Sequence, residues 1–292
     1  MANPQRPSKL RKPILVLAAA SLLVLSAAAP ALAGPPTGDF AVFSQCQLKS
    51  IVENCIYAQA TSGELQIGKD TVPITHTITL QGGSYAVGGG EEFVGAVDGE
   101  TLSRTSQSVP GGLPAVVAYG SLSTKARQTL YDELVEDGVT GVTATIELVG
   151  NPGISLENFA IQNEVALSLP VKITLSNPFL GSDCHIGSTT SPIVLNLTTG
   201  TTTPDLPNEP VTGTPGDLSV VIPSELIEFS GYELRDNAFA VPTAEGCGGI
   251  ESSIVDPAVD TALALPSSDG HNNVDLKGTL KVAAEEAVLA SE

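Results

Sequence analysis

Few side chains in this chain could do chemistry. His76, His185 and His271 are its three histidines. His185 adjoins Asp183 and Cys184, and His271 sits in Ser268-Asp269-Gly-His-Asn-Asn-Val-Asp275, an Asp-Gly turn ahead of a strand. A histidine base needs a nucleophile and an orienting partner, and sequence neighbours alone do not make that relay. No G-x-S-x-G elbow, H-E-x-x-H helix, phosphate loop or dinucleotide fingerprint occurs. Asp269, Asn273 and Asp275 depart from calcium-loop spacing. Paired carboxylates for glycoside hydrolysis would be assembled by folding and leave no local motif. No catalytic residue, metal ligand or cofactor is therefore assigned.

The four cysteines, Cys46, Cys55, Cys184 and Cys247, carry the clearest covalent signal. An even count in an exported chain reads as disulfides, and four cysteines allow three pairings. The expected pairing joins neighbours in sequence, Cys46 with Cys55 and Cys184 with Cys247. A zinc site would need a C-x-x-C pair, which is missing.

Export is read from the first 33 residues. Arg6, Lys9, Arg11 and Lys12 precede an apolar run from Pro13 to Ala29, and Ala31-Leu32-Ala33 before Gly34 is a small-x-small cleavage site. Residues 1–33 are expected to be a signal peptide and residues 34–292 a secreted β-rich domain, with a subdivision near 112–140 as an option. The expected location is the extracellular medium or the cell wall, with no stable membrane insertion once the signal is removed. Losing those four basic residues takes the formal net charge from −19 to −23. Such a chain is a poor partner for nucleic acid, whose phosphates need clustered Lys and Arg. The charge serves solubility, or, in an alternative reading, calcium binding.

The elements that must position these residues are mostly strands. In Glu164–Ser176, Val165, Leu167, Leu169, Val171, Ile173 and Leu175 are apolar at every second position, which predicts a long strand with one buried face. Val142–Val149, Ile193–Leu197, Leu218–Ile222, Glu225–Ser230, Asn237–Val241 and Val274–Val282 read as further strands. Ala41–Ser44 is expected to begin the first one. Cys55–Gln59 and Glu64–Ile67 read as a hairpin about Thr61-Ser-Gly63. Lys69–Leu80 reads as one alternating strand with His76 in its apolar phase. Pro73 and Pro170 predict edge strands or bends, because proline cannot donate to a ladder. Thr198–Gly216 is expected to be an extended loop poor in core residues, Ile254–Leu265 gives a mixed signal, and Ala283–Glu292 a frayed helix or tail. The helix expected near 122–137 has Ser123 or Thr124 as cap and a stripe of Ala126, Leu130 and Leu134. Alternation with one buried face points to an all-β, antiparallel two-sheet β-sandwich, with a closed barrel as second choice.

Cys184-His-Ile-Gly-Ser, Pro192-Ile-Val-Leu-Asn-Leu-Thr-Thr-Gly, Asp236-Asn-Ala-Phe-Ala-Val-Pro and Gly246-Cys-Gly-Gly, with Phe43-Ser-Gln-Cys46 near the start, together resemble an uncharacterised family of secreted actinobacterial proteins. The resemblance implies a bacterial exported protein and assigns no activity. The functional expectation is a non-enzymatic binding or structural module at the cell envelope or in the extracellular medium, with a cell-envelope component as the candidate partner. The alternatives are an extracellular hydrolase with a fold-assembled acidic or histidine site, and a calcium-stabilised surface protein.

Overall fold

The computed structural model of the chain describes residues 34–132, 140–162 and 164–292. A 3-10 turn at Gly38–Phe43 stands where the first strand was expected. The first strands are β1 (Asn54–Ile67), β2 (Asp70–Pro73), β3 (Ile78–Val87), β4 (Gly90–Gly95) and β5 (Ser106–Ser108). Then come α1 (Leu113–Val116), α2 (Thr124–Asp132), β6 (Thr143–Leu148), β7 (Gly153–Ile154), α3 (Leu156–Ala160) and β8 (Val165–Ser176). The remainder is β9 (His185–Ile186), β10 (Ile193–Thr198), β11 (Asp217–Val221), β12 (Leu226–Asp236), β13 (Ala244–Glu245), α4 (Ser252–Leu263), β14 (Asn273–Ala284) and α5 (Glu285–Leu289).

The strands form one large antiparallel sheet, curled into a half-barrel, rather than the two stacked sheets of a sandwich. Its central run is β8-β10-β12-β14-β1-β3-β4. Long strands supply the curl. β1 shifts register between Ala60 and Ser62, and β12 between Ser230 and Tyr232, both opposite Gly278 of β14. A bulge bends its strand and raises the local twist, so two bulges flanking one position let a single sheet wrap its own apolar face. Gly278 is required there. A Cβ on it would stand 1.7 Å from the Gln59 carbonyl oxygen and 2.9 Å from the Tyr232 hydroxyl. That hydroxyl reaches across Gly278 to donate to the same Gln59 carbonyl, at 3.0 Å.

The hairpin expected at 55–67 is thus one continuous strand, and Thr61-Ser-Gly63 is its bulge rather than its turn. The strand expected over 69–80 is two, because Pro73 ends β2 and β3 starts at Ile78. His76 falls in the gap and is exposed, not core. β8 is an interior strand, which removes the edge position from the two alternatives, edge or bend, that Pro170 suggested. It pairs with β6 and β7 on one side and with β9 and β10 on the other. Pro170 lies where the first side changes from β6 to β7, so no donor is required of it, while its carbonyl accepts from the Val149 amide at 3.0 Å.

The curl is carried round by residues 101–108. Gln81 donates to Thr101 and Ser103 to Thr79, each at 2.8 Å, extending the rank begun by β4, and the segment then becomes β5 against β6. Gln107, 2% exposed, completes the join with its side chain. Its Oε1 accepts from the amides of Thr75 at 2.8 Å and His76 at 2.9 Å, and its Nε2 donates to the His76 carbonyl at 2.7 Å.

The main core fills the inside of the curl, built from rows such as Leu80, Ala58 and Leu280 and from Leu169, Val171 and Ile173 of β8. α4 packs Val255, Ala258, Val259 and Leu263 into it, although Pro257 inside the helix hid that periodicity. A second cluster of Phe43, Cys46, Val52, Cys55, Leu226 and Val288 lies on the opposite face under the 3-10 turn and α5. α2 starts as expected, the Ser123 hydroxyl accepting from the Ala126 amide at 3.1 Å. The expected continuation of that helix to residue 137 lies outside the described residues.

Candidate functional site

The site is built where the ladders of β8, β10 and β12 run out. Hydroxyls and carboxylates take over there from strand partners. The Thr198 hydroxyl donates to the Glu164 carbonyl at 2.7 Å and accepts from the Gly200 amide at 2.8 Å. Thr199, fully buried, reaches the Asn158 carbonyl at 2.6 Å. Thr202 donates to the Asn237 side-chain oxygen at 2.6 Å and accepts from the Val211 amide at 3.0 Å. Thr201 meets Thr212 hydroxyl to hydroxyl at 2.9 Å. The threonine run expected to be a core-poor loop is therefore pinned, with Thr198, Thr199 and Thr202 buried.

Of these, Thr198, Thr201 and Thr202 line an open groove of about 670 Å³ with Thr203, Asn196, Glu164, Asp236 and Asp269. Its lining contains no Lys or Arg. Asp236 ends β12 and is 2% exposed. One of its oxygens accepts from the Asn196 amide at 2.6 Å and the other from the Ala238 amide at 2.9 Å. Burial pushes its carboxyl above the usual range, the two amides pull it back only in part, and the neighbouring Asp269 pushes it further up. Asp269 accepts from the Asp205 amide at 3.3 Å. The groove thus presents fixed acceptors and threonine hydroxyls to a polar or cationic ligand. Among the described residues, no three His, Cys, Asp or Glu side chains are grouped to hold a metal ion.

The structure does not gather the residues singled out from sequence. His76 is exposed, its Nδ1 3.3 Å from the Thr75 hydroxyl. His185 donates from Nδ1 to the Asp183 carbonyl at 2.7 Å, with Nε2 3.9 Å from the Glu245 carboxylate. His271 is exposed, 3.3 Å from the Ser268 hydroxyl. Asp275 sits apart on the sheet face, hydrogen-bonded to Arg235 at 3.2 Å. Cys46 is bonded to Cys55, and Cys184 to Cys247. The second bridge is held against α4, whose Asp256 and Asp260 accept from the amides of Cys247 at 2.7 Å and Ala244 at 2.8 Å. Ala31 and Ala33 lie outside the described residues, and Gly34 is the first described and exposed.

Sequence reasoning missed Glu164, Asp236 and the groove threonines. The available signal was the run Thr198-Thr-Gly-Thr-Thr-Thr203 directly after a strand and close to a second strand's acidic end. No protein-family model, curated protein or solved structure matches the chain.

Proposed function

We propose that the protein is an exported, non-enzymatic binding module that acts at the cell envelope or in the extracellular medium, with the threonine–aspartate groove as its contact surface. The observation that carries this reading is the state of the groove's polar groups. Both Asp236 oxygens are held by backbone amides, and Thr198 and Thr202 are hydrogen-bonded to the fold. Groups held in this way make a rigid recognition surface, whereas a general acid or nucleophile needs a free atom aimed at its substrate. The disulfides suit an oxidising compartment and so support export. The basic-then-apolar start of the chain supports it too.

Saturable binding to insoluble bacterial cell envelope, weakened by Asp269→Asn and Thr203→Val, is the expected result, and absence of binding removes the envelope role. One observation favours a hydrolase instead, the raised carboxyl of Asp236 beside Asp269. Turnover of a glycan by the purified protein, abolished by Asp269→Asn, would replace the binding reading.

A further inference from the structure

We propose that the free edge of β11 docks an extended polypeptide segment that alternates aliphatic side chains and carries lysine or arginine at its flanks. Among the described residues, β11 pairs with β12 alone, so its other edge presents unpaired backbone donors and acceptors. Exposed edges of this kind are usually blunted by charge, proline or a covering element. β11 has none of these between Leu218 and Val221.

Its apolar side chains continue the inner face of the sheet. Leu218 is opposite Phe229, which is opposite Leu280, and Val220 is opposite Ile227, which is opposite Val282. The inner members of these rows, Phe229, Leu280 and Val282, are buried, but Leu218 is 61% exposed and Val220 54%, with Ile222 at 83% just beyond. An added strand would satisfy the edge and cover those side chains together, which is how sheet augmentation gains both affinity and register.

Charge selects the occupant. From Ile173 to Leu234 the chain has seven acidic residues and no Lys or Arg, and Asp217 and Glu225 bracket the edge. A second copy would bring the same sign to the same place, whereas a segment with basic flanks meets complementary charge. This surface is separate from the groove and does not depend on its role.

The test is fluorescence polarisation of the folded protein with three labelled peptides. One alternates valine and threonine between lysine pairs. The second has glutamates in place of the lysines. The third is the lysine peptide with alternate amides N-methylated. The lysine peptide should bind at least tenfold more tightly than the glutamate peptide and weaken with added salt. N-methylation should abolish its binding, as should the double variant Leu218→Ser/Val220→Ser, whose thermal midpoint should match wild type because both side chains are exposed. Equal binding of the lysine and glutamate peptides, no binding of either, or tight binding of the methylated peptide overturns the proposal. So does sedimentation showing a wild-type dimer that the double variant abolishes, since the occupant is then a second copy.

Discussion

Replacing Gln107 by Leu tests how the curl is joined. Leu keeps most of the buried volume, so cavity and overpacking terms stay small. The substitution removes the two amide bonds to Oε1 and the bond from Nε2 to the His76 carbonyl, three backbone contacts between 2.7 and 2.9 Å. The Thr75 hydroxyl contact at 3.3 Å is longer and adds little. At about 1 kcal/mol net for each bond, the variant should lose about 3 kcal/mol. Gln66→Leu is the control, since that amide donates a single 3.1 Å bond to Gly68, and should cost about 1 kcal/mol or less. Equilibrium urea unfolding measures both, and the slope should be unchanged because the surface exposed on unfolding is the same. Hydrogen exchange gives a local readout: the Thr75 and His76 amides should be protected in the wild type and lose that protection selectively in Gln107→Leu. A cost below about 1 kcal/mol, or unchanged protection of those amides, would refute the idea that one side chain joins the segment after β2 to β5.

Other outcomes follow from the same structure. Gly278→Ala places a methyl against the Gln59 carbonyl between two bulges and should cost about 4 kcal/mol or more, read as loss of the folded near-ultraviolet dichroism signal. Serine in place of Cys184 and Cys247, which close a 63-residue separation, should cost about 4 kcal/mol in chemical denaturation, against about 3 kcal/mol for Cys46 and Cys55, which close nine. Stability should hold or rise as pH falls from 7 to 4.5. Burial is the main cause raising the carboxyls of Asp70, Glu91, Asp236, Asp260 and Asp275 above their unfolded values of 3.8 for Asp and 4.5 for Glu. A raised carboxyl makes its charged form costly above the folded pKa, and that cost fades as pH falls towards the unfolded value. Glu233 works the other way. Burial pushes it up, but the hydrogen bonds from Arg235 and Lys277 outweigh this, so its contribution is present above 4.5 and lost as pH falls through its lowered pKa. A thermal midpoint that drops steadily from pH 7 to 5 would contradict the balance of five groups against one.

What the sequence made legible was parity. The alternation places buried and less buried residues as the structure does from Leu167 to Leu175 in β8 and from Val274 to Val282 in β14, because side-chain period is a local property of a strand, while at the start of β8 Val165 is exposed and Ala166 buried. The curl was not legible, since it depends on Gln107 in a three-residue strand and on bulges that add one residue without changing composition. Thr61-Ser-Gly63 carries turn chemistry, yet the pairing of β1 with β14 continues through it. Pro170 marked an edge or a bend by the usual rule, and the handover from β6 to β7 explains its place inside the sheet. Four cysteines announced two bridges. The groove was half visible: its threonines stood out as a run, but their burial depends on Asn158, Glu164 and Asn237, which sequence distance conceals.

Co-sedimentation of the folded protein with insoluble bacterial cell envelope, with and without calcium, tests the proposed function most directly. Wild-type protein should pellet saturably and alike under both conditions, and Asp269→Asn with Thr203→Val should shift it to the supernatant while leaving its unfolding midpoint unchanged. Wild-type protein that stays in the supernatant under both conditions, or groove variants that pellet as the wild type does, would contradict the account.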